Sequence, residues 1–383
     1  MAGSAAEKGV PERDRGDSRL FALDVFRGLT IAGMIVVNTP GTWTHVYPPL
    51  LHAEWHGWTA TDTIFPFFLF IVGVSMAVSF ARRRARGATR RELFLHALRR
   101  GAIIFGLGLA LNVLSFFVFH RAHLRIPGVL QRIGVVYIFA AAIFLAFGRR
   151  GVLATVVLLL VGYWALMRFV PVPGFGAGRL DLEGNLAAYV DRAVLGEHTW
   201  KPGWDPEGPL STIPAIATAL LGAIAGEWLR SETVRQKQLG LVIGGWLAVG
   251  VGLLWSLSFP INKNLWTSSY AVFMSGLAAL FLALCRGLFD GSDRPVWARP
   301  FEWLGRNPIA AFVLSTLVTI VSLGIKLPGP DGKPRSLYAT IYRTVFDRFA
   351  DPRLGSLLFA LVYLAVWIAI CGLLYRKKIF LKV

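Results

Sequence analysis

The stretch at residues 60–80, ATDTIFPFFLFIVGVSMAVSF, decides the class of fold. Asp62 is the only ionisable side chain of this stretch. The stretch is followed directly by residues 81–100, ARRRARGATRRELFLHALRR, which contain eight arginines. A helix crosses the hydrocarbon layer of a membrane with about 20 mostly apolar residues. Arginine and lysine accumulate in loops on the cytoplasmic side. The two segments together predict a membrane-spanning helix that ends in the cytoplasm.

Nine further stretches have the same apolar character. The whole chain is 55% hydrophobic and 16% charged, against about 25% charged residues in soluble domains. We therefore predict an all-α integral membrane protein with about ten transmembrane helices, organised as a disordered cytoplasmic tail over 1–19 and a single domain over 20–383. The predicted spans are 20–38, 60–80, 98–118, 128–147, 151–169, 211–229, 238–258, 267–286, 306–325 and 355–375.

The positive charge sets the predicted orientation. The chain has 40 Lys and Arg against 22 Asp and Glu, a formal charge of +18. Twenty-five of the 40 lie on one side of the predicted spans, in the two terminal segments and in 81–100, 149–150, 230–237 and 286–306. Both termini are therefore predicted to be cytoplasmic. In so apolar a chain the excess charge favours contact with anionic membrane lipids over binding of nucleic acid.

The segment at 51–62, LHAEWHGWTATD, carries the densest group of chemically active side chains. Histidine is suited to proton transfer near neutral pH, and a neighbouring carboxylate can fix its tautomer. His52, His56 and Asp62 therefore indicate acid–base chemistry beside the second span. His52 and His56 also have the spacing of a zinc pair, but Glu54 has the wrong offset for a metalloprotease helix and no third ligand is evident. We predict no metal.

Polar residues inside or beside other spans form three further groups. Ionisable side chains in a membrane are costly and usually functional. Asp24 and Arg27 share a face of the first span, either as a functional pair or as a local ion pair, and Asn38 lies about three turns beyond them. The other two groups are Arg125, Gln131 and Arg132 at the start of the fourth span and Asn262, Lys263, Asn264 and Trp266 before the eighth. Lys263 stands between two asparagines. This pattern is typical of a donor set that binds sugar hydroxyls or a phosphate, and also of a solvated turn.

Taken in order, these motifs resemble those of the heparan-α-glucosaminide N-acetyltransferase family, within the wider transmembrane acyltransferases. The resemblance runs from about residue 19 to the C-terminus and suggests a shorter, bacterial form, located in the inner membrane as a multi-pass protein. The segments that carry it are LDVFRG at 23–28, Asn38, HAEWHG at 52–57, DTIFP at 62–66, RIPGVLQR at 125–132, STIPA at 211–215 and NKNLW at 262–266.

The resemblance implies transfer of an acetyl group from cytoplasmic acetyl-CoA, the co-substrate, to the amine of a glucosamine-type sugar on the outer side. It places the family's active histidine at His52 and its nearby asparagine at Asn38. The histidine acts either as general base or as a transient acetyl acceptor. Two other functions remain open: a glycan O-acyltransferase and a secondary transporter of amino sugars. A homodimer also remains open.

The remaining candidates are assigned on this basis. Asp62 is predicted to orient His52, and Asn38 to donate to the developing oxyanion. The predicted cofactor-binding residues are Arg83, Arg99, Arg125, Gln131 and Arg132. The predicted substrate-binding residues are Asp24, Arg27, His56, Lys263, Asn264 and Trp266.

Overall fold

The protein is almost entirely helical. A computed structural model describes residues 15–231, 233–290, 295–329 and 333–381. Its helices are α1 (Arg15–Asn38), α2 (Ile64–Arg84), α3 (Arg90–Val118), α4 (Val129–Ala146), α5 (Arg149–Phe169), α6 (Leu186–Leu195), α7 (Thr212–Ser231), α8 (Val234–Ser256), α9 (Ser268–Phe289), α10 (Arg299–Arg306), α11 (Pro308–Gly324), α12 (Leu337–Ile341) and α13 (Pro352–Arg376). This confirms the predicted all-α membrane fold.

Short elements occupy the connections. Two antiparallel hairpins pair β1 (Pro171–Val172) with β2 (Gly176–Ala177) and β3 (Lys326–Pro328) with β4 (Pro334–Ser336). Three 3-10 turns, at Pro48–Leu50, Ala60–Thr63 and Val296–Ala298, and one π-helical turn, at Tyr342–Phe346, complete the described secondary structure.

Nine helices in the described part of the chain are long and apolar enough to cross a membrane: α1 to α5, α7 to α9 and α13. The remaining predicted span, 306–325, corresponds to a bent pair, in which Val296–Arg306 and Pro308–Gly324 meet at 77°. The bend falls at Asn307–Pro308, because proline has no backbone N–H and is tolerated only in the first turn of a helix. Sequence analysis located α11 but not the amphipathic helix that precedes it.

The N-terminal boundary differs from the prediction. α1 begins at Arg15, so residues 15–19 are helical, whereas the sequence placed them in a disordered tail. The rest of the predicted tail, residues 1–14, lies outside the described residues. The two long connections, 170–210 and 326–353, hold short helices.

Glycines allow two pairs of helices to approach at backbone distance. A Cβ on Gly73 of α2 would lie 1.8 Å from the carbonyl oxygen of Ala219, and one on Gly222 of α7 would lie 2.0 Å from that of Phe70. The crossing of α1 and α10 is equally close, at Gly28 and Gly305. Small residues are a common means of close helix packing in membranes.

Replacing Gly28 by alanine is expected to destabilise the α1–α10 crossing. The added Cβ would lie 1.7 Å from the carbonyl oxygen of Phe301, so the helices must separate, at a cost of about 1–3 kcal/mol. The thermal unfolding midpoint in detergent should fall by several degrees. Gly106→Ala in α3 is the matched control, because nothing lies within 4 Å of its Cβ position. Equal midpoints for the two variants would contradict the prediction.

Candidate active site

A buried aspartate organises the loop between α1 and α2. The side chain of Asp62 is 1% exposed, and its Oδ2 accepts hydrogen bonds from the backbone N–H groups of Ala53 and Thr59, both at 3.0 Å. Thr59 and Asp62 form a capping box at the start of the 3-10 turn that leads into α2. The hydroxyl of Tyr270 in α9 donates to the backbone oxygen of Asp62 at 2.6 Å. These contacts fix the carboxylate relative to the helices.

The other carboxylate oxygen of this aspartate contacts His52. Asp62 Oδ1 lies 2.7 Å from His52 Nδ1. An ionised carboxylate only accepts hydrogen bonds, so Nδ1 carries the proton and Nε2 keeps its lone pair. The His52 side chain is 52% exposed, so the imidazole is accessible from outside the protein.

Lys263 is the third member of the group that Asp62 and His52 form. Its Nζ lies 2.9 Å from Nδ1 and 3.1 Å from Nε2 of His52. Nearly equal distances to the two ring nitrogens place the ammonium off the in-plane lone-pair axis of Nε2, so that axis remains open to a substrate. Nζ also lies 3.6 Å from Asp62 Oδ1. Burial lowers the pKa of Lys263 from its ordinary value, and the charge of Asp62 opposes that shift.

The segment around Lys263 is held by buried contacts. Trp266 is completely buried and has a positive φ of 48°. Its backbone N–H donates to the Lys263 oxygen at 3.1 Å, and its indole N–H donates to Thr218 at 3.2 Å. Trp266 was predicted to bind substrate, but burial leaves its ring no access to an acceptor, so it positions Lys263 instead. Asn264 is partly exposed.

The two candidate histidines have different partners. Asn262 lies 3.4 Å from His56 through its side-chain amide, and the Gly57 N–H donates to the Ile261 oxygen at 2.8 Å. His56 therefore belongs to the contact between the histidine loop and the segment before α9, whereas His52 faces Asp62 and Lys263.

Asn38 lies at the C-terminal end of α1, and its side chain is exposed. It is on the same side of the helical bundle as the histidine loop. None of the hydrogen bonds described for His52, Asp62 and Lys263 involves Asn38. Its predicted role as an oxyanion donor remains a prediction.

The acidic residues that face Arg125 are an addition to the predicted site. Arg125 donates to Asp205 at 2.7 and 2.8 Å and to Glu207. Burial opposes a charged guanidinium here, but the two carboxylates outweigh it and raise the pKa of Arg125. The nearby Arg132 is 2% exposed and donates to Ser211 and to the Gly208 oxygen. The sequence signal was Asp205-Pro206-Glu207-Gly208, which sequence analysis did not single out.

The predicted cofactor-binding residues fall into two separate groups. Arg83 and Arg99 are exposed, near the end of α2 and in the first third of α3. The other group, Arg125, Gln131 and Arg132, lies farther along α3, where Gln131 packs against Gly108 and the Asn112 amide donates to the Arg125 oxygen. These contacts are about 14 to 20 Å from Arg99 along the helix. One phosphate group cannot contact both. The carboxylates on Arg125 also cancel the charge that would attract a phosphate.

Asp24 and Arg27 form a structural clamp. The Arg27 guanidinium donates to Asp24 Oδ1 at 2.9 Å, to the Gly305 oxygen at 2.9 Å and to Ser75 Oγ at 2.8 Å. It therefore joins α1, α2 and α10, about 16 Å along α1 from Asn38. Of the two interpretations left open by the sequence, this geometry supports the ion pair, and it keeps both residues away from His52.

Asp191 is expected to make the connection between α5 and α7 sensitive to pH. Its Oδ2 accepts from the Asp205 N–H at 2.9 Å, whereas its buried Oδ1 has no partner in the described part of the chain. Burial, with the charge of Asp205 added, raises the pKa of Asp191 from 3.8 to about 7. The folded protein thus binds a proton more tightly than the unfolded chain, and stability falls as pH rises from about 4 to above 7.

Replacing Asp191 by asparagine is expected to remove this dependence. Asparagine keeps an acceptor for Asp205 and carries no charge, so the unfolding midpoint at pH 8 should rise by a few degrees, equivalent to about 1–3 kcal/mol. Thermal unfolding of both proteins between pH 5 and 8 measures this. A wild-type midpoint that does not fall over this range would contradict the prediction.

Comparisons with known proteins support the resemblance. The family model described as "Heparan-alpha-glucosaminide N-acetyltransferase, catalytic" matches residues 19–252. The chain is 28% identical to human heparan-alpha-glucosaminide N-acetyltransferase over 425 aligned residues, covering 95% of this chain and 60% of the human protein. It is 29% identical to the mouse protein of the same name over 433 aligned residues, which cover 97% of this chain and 62% of the mouse protein. The chain therefore spans about three fifths of the length of these relatives.

Proposed function

Because the chain belongs to the heparan-α-glucosaminide N-acetyltransferase family, we propose that it transfers an acetyl group from acetyl-CoA to the amine of a glucosamine-type sugar. The observation that carries the proposal is the His52 imidazole. Asp62 accepts from the Nδ1 of this imidazole, and the His52 side chain is about half exposed. A general base needs both an unprotonated nitrogen and access to the reacting group.

In the direct route, the sugar amine attacks the thioester carbonyl. The N–C bond forms, His52 Nε2 takes the proton of the amine, and the C–S bond breaks as the thiolate leaves. The proton then passes from Nε2 to the thiolate, which restores the neutral histidine. The carboxylate of Asp62 stabilises the imidazolium that forms in between, as in other carboxylate–histidine pairs.

In the covalent route, His52 Nε2 itself attacks the thioester, so that an N–C bond forms as the C–S bond breaks and the thiolate leaves. The amine then attacks this acetyl group and the bond to the imidazole breaks. The released imidazole takes the proton of the amine and gives it up to the thiolate. Both routes build negative charge on the carbonyl oxygen. Lys263 is within reach of the same imidazole, and we assign it to that oxygen or to the acceptor. Incubation with radiolabelled acetyl-CoA and no acceptor separates the routes, because only the covalent one leaves label on the protein.

We further propose that the nucleotide end of acetyl-CoA binds at the cytoplasmic face. Arg83, Arg99 and Arg100 all act electrostatically on His96, so they share one cationic patch, and arginine pairs strongly with phosphates. The thioester must then reach His52 through the protein, because the hydrocarbon layer is about 30 Å thick. Loss of acetyl-CoA affinity in Arg83→Gln and Arg99→Gln would support this placement.

The proposed reaction is tested with purified protein, acetyl-CoA and glucosamine, by mass spectrometry of the products. N-acetylglucosamine is the matched acceptor without a free amine. Acetylation of glucosamine but not of N-acetylglucosamine is the expected result. Acetylation of both at hydroxyls would identify an O-acyltransferase. Uptake of glucosamine into vesicles without acetyl-CoA would instead identify a transporter.

A further inference from the structure

A cleft opens to the lipid between α7 and α8, away from the histidine site. It has a volume of about 550 Å³. Its base is formed by buried side chains of other helices, Phe70 of α2 and Ala279 of α9. Its rim is formed by exposed apolar side chains of α8, such as Leu239 and Leu247. A concave apolar surface of this kind suits a flexible hydrocarbon chain.

One end of the cleft is cationic. Arg149, the first residue of α5, lines it and lies over the Trp228 ring, 5.3 Å from its centroid. Gln236 lines the same end. The distribution of basic residues assigns this end to the cytoplasm, where the leaflet carries anionic lipids. An arginine beside an apolar cleft complements a phosphate attached to an acyl chain.

The length of the cleft selects between possible occupants. Along α8 it extends from Gln236 to Ala248, about 18 Å at 1.5 Å per residue. That is little more than half of the hydrocarbon layer, which is about 30 Å thick. A transmembrane helix from a second copy would need contacts across the whole layer, whereas a lipid acyl chain occupies one leaflet.

We propose that this cleft is a binding site for an anionic phospholipid of the cytoplasmic leaflet. The headgroup phosphate pairs with Arg149 at the cytoplasmic end, and an acyl chain lies between α7 and α8 against Phe70 and Ala279. The proposal is independent of the proposed acetyl transfer, because no residue of the cleft belongs to the histidine site.

Native mass spectrometry of the delipidated protein tests this, with phosphatidylglycerol and phosphatidylcholine of identical acyl chains as probes. The wild type should bind one phosphatidylglycerol in preference to phosphatidylcholine. Arg149→Gln should weaken phosphatidylglycerol binding about fivefold, the effect of one basic residue near a lipid phosphate. Arg150→Gln, the neighbouring exposed arginine that does not line the cleft, should leave it unchanged.

A second variant tests the apolar part of the proposed lipid site. Gly244 lines the cleft, and in the described part of the chain nothing lies within 4 Å of its Cβ position, so the side chain of Gly244→Leu has room at its Cβ and projects into the cleft. It should abolish binding of both lipids and leave the unfolding midpoint unchanged. Gly162→Leu, at an equally open position of α5, is the control and should bind as the wild type does.

Three results would overturn the proposal. The first is equal binding of the two lipids by the wild type. The second is equal loss of binding in Arg149→Gln and Arg150→Gln, which would indicate a general surface charge. The third is a dimer that Gly244→Leu dissociates while lipid binding persists, which would assign the cleft to a second copy of the chain.

Discussion

Replacing His52 by alanine is expected to lower kcat for acetylation by about 10²- to 10⁴-fold, the usual contribution of a positioned general base. The side chain is about half exposed and accepts no backbone hydrogen bond, so the variant should fold. The KM for acetyl-CoA should change little, because the proposed phosphate site lies at the opposite face. Steady-state kinetics with glucosamine as acceptor measure both parameters.

His56→Ala is the matched control, since it removes an imidazole from the same loop. His56 lies beside Asn262, so this variant should keep kcat within about tenfold of the wild type. Near-normal acetylation by His52→Ala would exclude both proposed routes. A loss as large in His56→Ala would show that the integrity of the loop, and not the His52 base, sets the rate.

Replacing Asp62 by asparagine is expected to lower kcat by a similar factor, through the tautomer of His52. An asparagine whose side-chain oxygen accepts from Ala53 and Thr59, as Asp62 Oδ2 does now, turns its NH₂ group towards His52 Nδ1. The imidazole then carries its proton on Nε2, so the nitrogen that faces the substrate is no longer basic. The unfolding midpoint in detergent, measured beside kcat, separates this effect from simple misfolding.

In the Asp62→Asn variant kcat should fall, while the unfolding midpoint in detergent stays close to that of Thr59→Ala. Thr59→Ala is the control, because it removes a hydroxyl that bonds Asp62 at 3.2 Å without touching His52. It should lower the free energy of unfolding by about 1 kcal/mol, the amount typical of a lost helix cap, and leave kcat close to the wild-type value. A wild-type kcat in Asp62→Asn would refute the assigned role.

The Asp62–His52 pair was predictable because both residues lie within one short segment. Ten residues separate them, and a loop bound to a helix start keeps them close. The contribution of Lys263 was predictable only as a nearby cationic group, since 211 residues separate it from His52. The acidic partners of Arg125 were not predicted, because they lie 80 and 82 residues away in a long loop.

The predictions for Trp266 and Arg27 placed these side chains at a substrate-binding surface, whereas the structure encloses them between helices. A tryptophan after Asn-Lys-Asn is equally compatible with a sugar platform and with a core anchor. Only the packing of α4, α7 and α9 around it decides for the core. The same holds for Arg27, whose partners Ser75 and Gly305 come from helices far apart in the chain.

The sequence by itself determined the membrane fold, the places of its ten hydrophobic segments and the histidine loop. These depend on local properties: apolar runs long enough to span a bilayer, arginine next to their ends, and residues within one turn or loop of each other. The tertiary structure decided that Lys263 lies beside His52 and which carboxylates neutralise Arg125. Such features arise from contacts between distant segments, whose geometry is set by helix packing.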